Sequence, residues 1–289
     1  MFKKYGNQVA EPKVTIHPLD FAKSDVFWTL TLILRKIRNE RPKIYQGFKE
    51  KVSNILLQEI KQDYFDEQND KLDRELVQYD KLSEESKFVK LHLSFIIEKL
   101  GITPEDLWAN KKTAFLTTDF IPSSFGLFFI QVSALIFLLG REEALQFFRE
   151  FLDAYNEEVN AIYQKNRFKE LVDFSIEQAN WLPVNPYGRH QIINDGTNGQ
   201  FLKLCVTCEK YNSMIQTKYG QDKEILYTIM CYMHKPLAKV WNDHFILDLE
   251  QSLALGDKYC SYIYYDTREK RKTKSFTKEF LDKIWLKYK

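Results

Sequence analysis

The residue types best suited to chemistry in this chain are gathered late, where all four cysteines fall within about sixty positions of one another. Cys205-Val206-Thr207-Cys208 is followed after a helical interval by Cys231-Tyr232-Met233-His234, and Cys260 closes the stretch Gly256-Asp257-Lys258-Tyr259-Cys260. Cys-x-x-Cys ahead of Cys-x-x-His supplies the ligand types and local spacing of a tetrahedral zinc site, with Cys205, Cys208, Cys231 and His234 as ligands. Strand alternation opposes this, because residues three apart on a strand face opposite sides unless the backbone turns. Small buried thiols packed as hydrophobes account for the same residues.

A second chemistry needs fewer groups. Tyr227, Cys231, His234 and Ala238 fall at helical steps and form one stripe if the helix runs on past the bend expected near Pro236. Cys231 and His234 are then candidates for a thiolate and its base, which requires a partly exposed sulfur. Packing and a satisfied hydrogen bond are the plain alternative for such a pair. Arg189 and His190 beside Asn194 and Asp195 are pocket candidates, and Lys203 shares a strand face with Cys205 and is placed to hold a substrate carboxylate. An exposed strand suits these residues equally well. There is no Gly-rich phosphate loop, no His-Glu-x-x-His zincin pattern, no Gly-x-Ser-x-Gly elbow and no kinase set.

The elements that must position these groups read as follows. Asp20–Arg38, Phe48–Tyr64, Ser86–Leu100, Phe125–Leu139 and Arg141–Asn160 carry helical periodicity, with Gly101 as a C-terminal stop and Thr103-Pro104 as a helix start. The charged segment 63–85 reads as an exposed helix or linker. Phe125–Leu139 is the most apolar run and is expected as a buried central helix, since a membrane span needs about 20 such residues. From Trp181 onward Asp195-Gly196-Thr197-Asn198-Gly199 sits between alternating runs and predicts a hairpin, in which Phe201, Lys203 and Cys205 share one face. A second hairpin is expected from Leu247 through Gly256 to Asp266. Together these give an α+β fold, mainly helical, with a small antiparallel sheet formed by two hairpins in the C-terminal half. The expected division is a helical region over 1–115 and an α+β domain over 116–289.

Composition narrows the partners. The 289 residues are 44% hydrophobic and 28% charged with a formal charge of +2, so there is no global field for nucleic acid or an acidic membrane. Only Arg268–Lys274 forms a basic cluster, and such runs are most often solvated. Aromatics reach 15%, enough for a large core or for lining a planar pocket. The start of the chain has no secretory pattern, and four cysteines are too few for a disulfide scaffold, which predicts a cytoplasmic setting. The expected partner is a small molecule, with no nucleic acid, no membrane and no cofactor beyond the zinc alternative.

One resemblance rests on these same residues. Leu204-Cys205-Val206-Thr207-Cys208, Met230-Cys231-Tyr232-Met233-His234 and Leu253-Ala254-Leu255-Gly256-Asp257-Lys258-Tyr259-Cys260-Ser261-Tyr262 resemble, in order and type, the L-2-amino-thiazoline-4-carboxylic acid hydrolase family, itself distantly similar to vinyl-reductase-type small-molecule-binding domains. The resemblance covers about residues 125–266, and Gly256–Cys260 is its most specific part; His234 stands where an acidic residue is expected. It implies a hydrolase opening a cyclic isothiourea to a carbamoyl-cysteine. Under it Cys231 or Cys205 is the nucleophile, His234 the proton-transfer partner, Asp257 an acceptor for the exocyclic amine, and Lys203, Arg189 and Cys260 substrate-binding groups. A non-catalytic ligand-binding or sensor module, and a zinc-stabilised interaction protein, are the alternatives.

Overall fold

A computed structural model describes residues 1–6, 13–65, 70–181, 190–206, 208–220, 222–269 and 276–289. The described residues include seven strands, β1 (Lys3–Gly6), β2 (Lys13–Ile16), β3 (Thr113–Leu116), β4 (His190–Ile193), β5 (Gln200–Cys205), β6 (Phe245–Leu249) and β7 (Cys260–Asp266). The structure is 67% helical, so the α+β, mainly helical expectation holds. The chain's own contacts divide it into two compact units, Lys13–Tyr155, and Met1–Pro12 with Asn156–Lys289. This division differs from the expected one after residue 115, which cuts the helices that follow β3 away from those they pack on.

The unit Lys13–Tyr155 is helical apart from the β2–β3 ribbon. Its helices are α1 (Pro18–Ala22), α2 (Thr29–Glu40), α3 (Tyr45–Glu59), α4 (Asp70–Leu76), α5 (Ser86–Leu100), α6 (Pro104–Ala109), α7 (Thr117–Leu139) and α8 (Arg141–Tyr155), with a π turn over Lys23–Trp28. Local chemistry sets several bounds. Gly101 takes a φ of 66° after α5, which lets the Ile102 N–H reach back 2.9 Å to the Ile97 carbonyl. Thr103 and Asp106 cap α6 reciprocally. The segment 63–85 is not simply exposed, because Leu72, Leu76, Tyr79 and Leu82 are buried. The apolar run extends back to Thr117 through Pro122, making α7 a 23-residue helix long and apolar enough to cross a membrane by length and composition. Within its unit α7 packs on α3, α5 and α8, and 61% of its most apolar window is buried.

The other unit is built on a five-stranded antiparallel sheet of order β1-β4-β5-β7-β6. Both expected hairpins form, β4 with β5 and β6 with β7, but they are not the whole sheet. They join through β5–β7 pairing, and β1 adds an edge strand. Lys3–Gly6 is short, polar and without alternation, so no periodicity announced it. Leu253, expected on the first strand of the second hairpin, instead begins a 3-10 turn over Leu253–Leu255. Around the sheet lie α9 (Ala161–Gln164), α10 (Leu171–Trp181), α11 (Glu209–Tyr219), α12 (Lys223–Tyr227), α13 (His234–Trp241) and α14 (Lys278–Tyr288), with a π turn over Thr228–Tyr232.

Alternation sorts the strand residues into two cores. Phe201, Cys205, Cys260, Tyr262 and Tyr264 pack with Phe168, Phe174 and Ala238 on one face. Ile192, Leu202, Leu204 and Ile263 pack with Leu281, Ile284 and Trp285 of α14 on the other. Each such side chain contributes about 1.5–3 kcal/mol on leaving water, so packing on both faces, rather than hairpin propensity, holds these short strands.

Candidate functional site

The cysteines converge because three elements end near one sheet face. Cys205 is the last residue of β5 and Cys260 the first of β7, and the two are direct cross-strand partners. Asp222 starts α12 by accepting from the amides of Glu224 and Ile225 at 3.0 and 3.1 Å. The π turn that follows carries Cys231 inward between buried Met230 and the half-buried Tyr232. Such one-residue widenings recur at functional positions. Helix resumes at His234, where the bend was expected, with Pro236 at its third position rather than its first.

Hydrogen bonds link the sulfurs. Cys260 is bonded to both Cys205 and Cys231, and its sulfur also accepts the Leu253 N–H at 3.3 Å. Cys231 Sγ lies 3.3 Å from Ser252 Oγ. That oxygen accepts the Ala254 N–H at 3.2 Å, which leaves the hydroxyl proton free to point at Cys231. Asp257 Oδ2 accepts the Ser252 N–H at 2.9 Å and so fixes the turn that presents the serine. Gly256, with φ of 97°, makes the turn possible.

Cys208 belongs to the same cluster. The strand ends at Cys205 and Cys208 becomes the residue before α11, so alternation no longer separates the two, and Cys208 lies near both Cys205 and Lys203. Tyr262 is the common neighbour, feeling all four cysteines. The His234 ring meets its edge with centroids 5.3 Å apart, and the Lys203 ammonium lies 5.2 Å from its ring centroid. Lys203 Nζ donates to Gln178 Oε1 at 3.2 Å.

Burial governs the protonation states. It pushes the Cys208 thiol up to about 12, with nearby Cys205 adding and Lys203 opposing. For Cys260 the bond from Cys205 favours the thiolate, but the bond to Cys231, burial and the neighbouring sulfurs outweigh it and the thiol is raised. Burial, then the Lys203 charge, lowers His234 to about 4, so its imidazole is neutral at pH 7. Tyr262 is raised by burial and by the surrounding thiols.

No protein-family model, curated protein or solved structure matches the chain.

Of the residues singled out in the sequence, Cys205, Cys208, Cys231, Cys260, Lys203 and His234 come together, while Asp257 reaches the cluster through Ser252. Cys231 and His234 share no hydrogen bond, and Cys231 is buried rather than partly exposed as the pairing requires: Cys231 bonds Ser252 and Cys260, and His234 contacts Tyr262. Among the described residues no three of His, Cys, Asp and Glu are arranged to hold a metal ion, which gives the proposed zinc set Cys205, Cys208, Cys231 and His234 no ligand geometry. Arg189 and most of the basic cluster, residues 270–275, lie outside the described residues; Arg268 itself pairs with Asp266. Ser252, Tyr262 and Gln178 were missed. Tyr262 was findable, because it follows Cys260 by two on a strand and therefore shares its face.

Proposed function

We propose that this chain is a hydrolase of a small cyclic sulfur-containing substrate of the 2-amino-thiazoline-4-carboxylate kind, with Cys231 as its nucleophile. The observation that carries the reading is the convergence of Ser252 and the other thiols on Cys231 at one sheet face. Ser252 Oγ lies 3.3 Å from Cys231 Sγ, and the Cys260 thiol is hydrogen-bonded to Cys231 as well as to Cys205. A sulfur held between two hydrogen-bonding groups presents a fixed direction of attack to a substrate carbon.

In this reading Cys231 Sγ attacks the ring carbon bonded to two nitrogens and sulfur. The ring carbon–sulfur bond then opens and the released sulfur takes a proton. Water attacks the same carbon, the enzyme sulfur leaves, and a carbamoyl-cysteine is formed. His234, neutral at pH 7, is the acceptor for the proton of the attacking water. Lys203 holds the substrate carboxylate, with Arg189 as a second cation. Cys205 is the alternative nucleophile, and Asp257 acts by holding Ser252. Free thiols suit a reducing, cytoplasmic setting.

A second reading, a non-catalytic module binding a planar molecule, is favoured by the un-ionised state of Cys208, Cys260 and His234 beside the aromatic sheet face. Incubation with 2-amino-thiazoline-4-carboxylate, followed by mass-spectrometric assay of carbamoyl-cysteine, separates the two. Product formed by the natural chain and not by Cys231→Ser supports the hydrolase. Saturable binding without product supports the binding module, and absence of both overturns the two readings together for this substrate.

A further inference from the structure

We infer that the thiol cluster is also an oxidation site, at which a hydroperoxide converts Cys231 and Cys260 into an internal disulfide. The two sulfurs are already hydrogen-bonded to one another, so the partner that resolves an oxidised Cys231 stands in contact with it. Two further groups bear on the pair. The Ser252 hydroxyl oxygen lies 3.3 Å from the Cys231 sulfur, and the Leu253 N–H donates to Cys260 at 3.3 Å. Both hold the two sulfurs in place beside one another.

Cys231 and Cys260 are a better match than Cys205 and Cys260. The latter two face each other on paired strands, where the ladder fixes the backbone on both sides. Cys231 sits instead in the π turn Thr228–Tyr232, outside the ladder, where no cross-strand hydrogen bonds oppose a local adjustment. A sulfur–sulfur bond of about 2 Å needs such an adjustment from hydrogen-bonded contact. Cys208 is the more accessible thiol, but Cys260 is hydrogen-bonded to Cys231 and Cys205 and not to Cys208.

The chemistry balances in two steps. The Cys231 sulfur attacks the peroxide, forming a sulfur–oxygen bond as the oxygen–oxygen bond breaks, and the departing alkoxide or hydroxide takes the thiol proton. The Cys260 sulfur then attacks Cys231, the sulfur–oxygen bond breaks, and water leaves with the Cys260 proton. Two thiols are oxidised by two electrons, and the hydroperoxide is reduced to an alcohol, or to water, with one further water released. Both sulfurs are 1% exposed, so a small hydroperoxide reaches them through local opening and the reaction is slow compared with that of a surface thiolate.

The test treats the native chain with hydrogen peroxide, blocks the remaining thiols with N-ethylmaleimide and maps disulfides in a non-reducing digest. The expected result is a mass lower by two hydrogens, two blocked thiols in place of four, and one cross-linked peptide pair joining Cys231 to Cys260, all reversed by dithiothreitol. Cys205→Ser retains the cross-link, and Cys260→Ser yields a Cys231 sulfenic acid trapped by dimedone. Four blockable thiols after treatment, a cross-link between other cysteines, or oxygen adducts without any cross-link each overturns the proposal. The natural chain alone decides between these outcomes, whether or not the variants fold.

Discussion

Lys203 of β5 and Tyr262 of β7 are cross-strand partners, and the ammonium lies 5.2 Å from the ring centroid. The interaction is worth about 0.5–2 kcal/mol and orients the lysine without cancelling its charge. The hydrogen bond from Nζ goes to the neutral Gln178, and among the described residues Lys203 has no carboxylate partner. A half-buried cation with only neutral partners beside a neutral imidazole is left to be compensated by an anion.

Lys203→Met therefore loses affinity for a carboxylate ligand while keeping the fold. Losing a charge-assisted hydrogen bond costs about 1.5–3 kcal/mol, or roughly tenfold or more in Kd. Calorimetric titration of 2-amino-thiazoline-4-carboxylate into both proteins measures it. An unchanged Kd removes Lys203 from the site, and loss of binding together with collapse of the circular dichroism spectrum marks a structural lysine.

Ser252→Ala separates positioning from nucleophilic attack. The variant removes one donor from Cys231 and the oxygen that accepts from Ala254, while Cys231 itself remains. Alkylation of Cys231 by iodoacetamide, followed by peptide mass spectrometry, slows in the variant, whereas alkylation of Cys208 does not change. Stability falls by about 1 kcal/mol, the usual cost of a lost turn cap. Equal rates at Cys231 in both proteins sink the positioning role.

How much of this was legible beforehand follows the range of the interactions. The face shared by Phe201, Lys203 and Cys205 came from period-two alternation, and the ends of α5 and α6 from Gly101 and Thr103, because those signals act within a few residues. The pairing of Cys205 with Cys260 depends on β5 lying beside β7, a contact across more than fifty positions that no local pattern encodes. The π turn that places Cys231 has no composition of its own, so the stripe Tyr227, Cys231, His234 and Ala238 was drawn on a helix of the wrong pitch. Ser252 was invisible because it had been assigned to a strand that ends at Leu249.

Gly196→Ala strikes the first hairpin. Gly196 has φ of 71°, and an added Cβ lies 2.5 Å from the Leu171 carbonyl oxygen, so neither the backbone conformation nor the space admits a side chain. Strain at a left-handed position costs about 1–3 kcal/mol before the backbone clash is added. Urea unfolding is expected to show a stability lowered by that amount or more, read as a lower midpoint with an unchanged slope. Gly101→Ala is the control: its φ is 66° but nothing lies within 4 Å of the added carbon, so its loss stays smaller. Equal losses at both positions contradict the clash.

The unit Lys13–Tyr155 holds two buried titratable groups whose effects on stability run in opposite directions with pH. Burial raises Asp25 from 3.8 to about 6 despite hydrogen bonds from Ser124 at 2.8 Å and Ser24 at 3.2 Å. Between those values the folded chain keeps a proton that the unfolded chain has released, so Asp25 favours the fold at acid pH, and this support is lost as pH rises through about 6. Burial lowers His92 from 6.5 to about 4, with Nδ1 2.8 Å from the Phe88 carbonyl opposing only in part. The unfolded chain therefore binds the extra proton at this residue, and its contribution is present above 6.5 and lost as pH falls toward 4. Asp25→Asn keeps acceptor and size without the charge, so at pH 7.5 it is expected to stabilise the chain by about 1–3 kcal/mol, with the gain shrinking toward pH 4. His92→Leu is expected to flatten the loss of stability between pH 6.5 and 4. Urea titrations at pH 4.5 and 7.5 on the natural chain and both variants check this. An Asp25→Asn gain independent of pH locates its effect in packing and removes the buried carboxylate from the account.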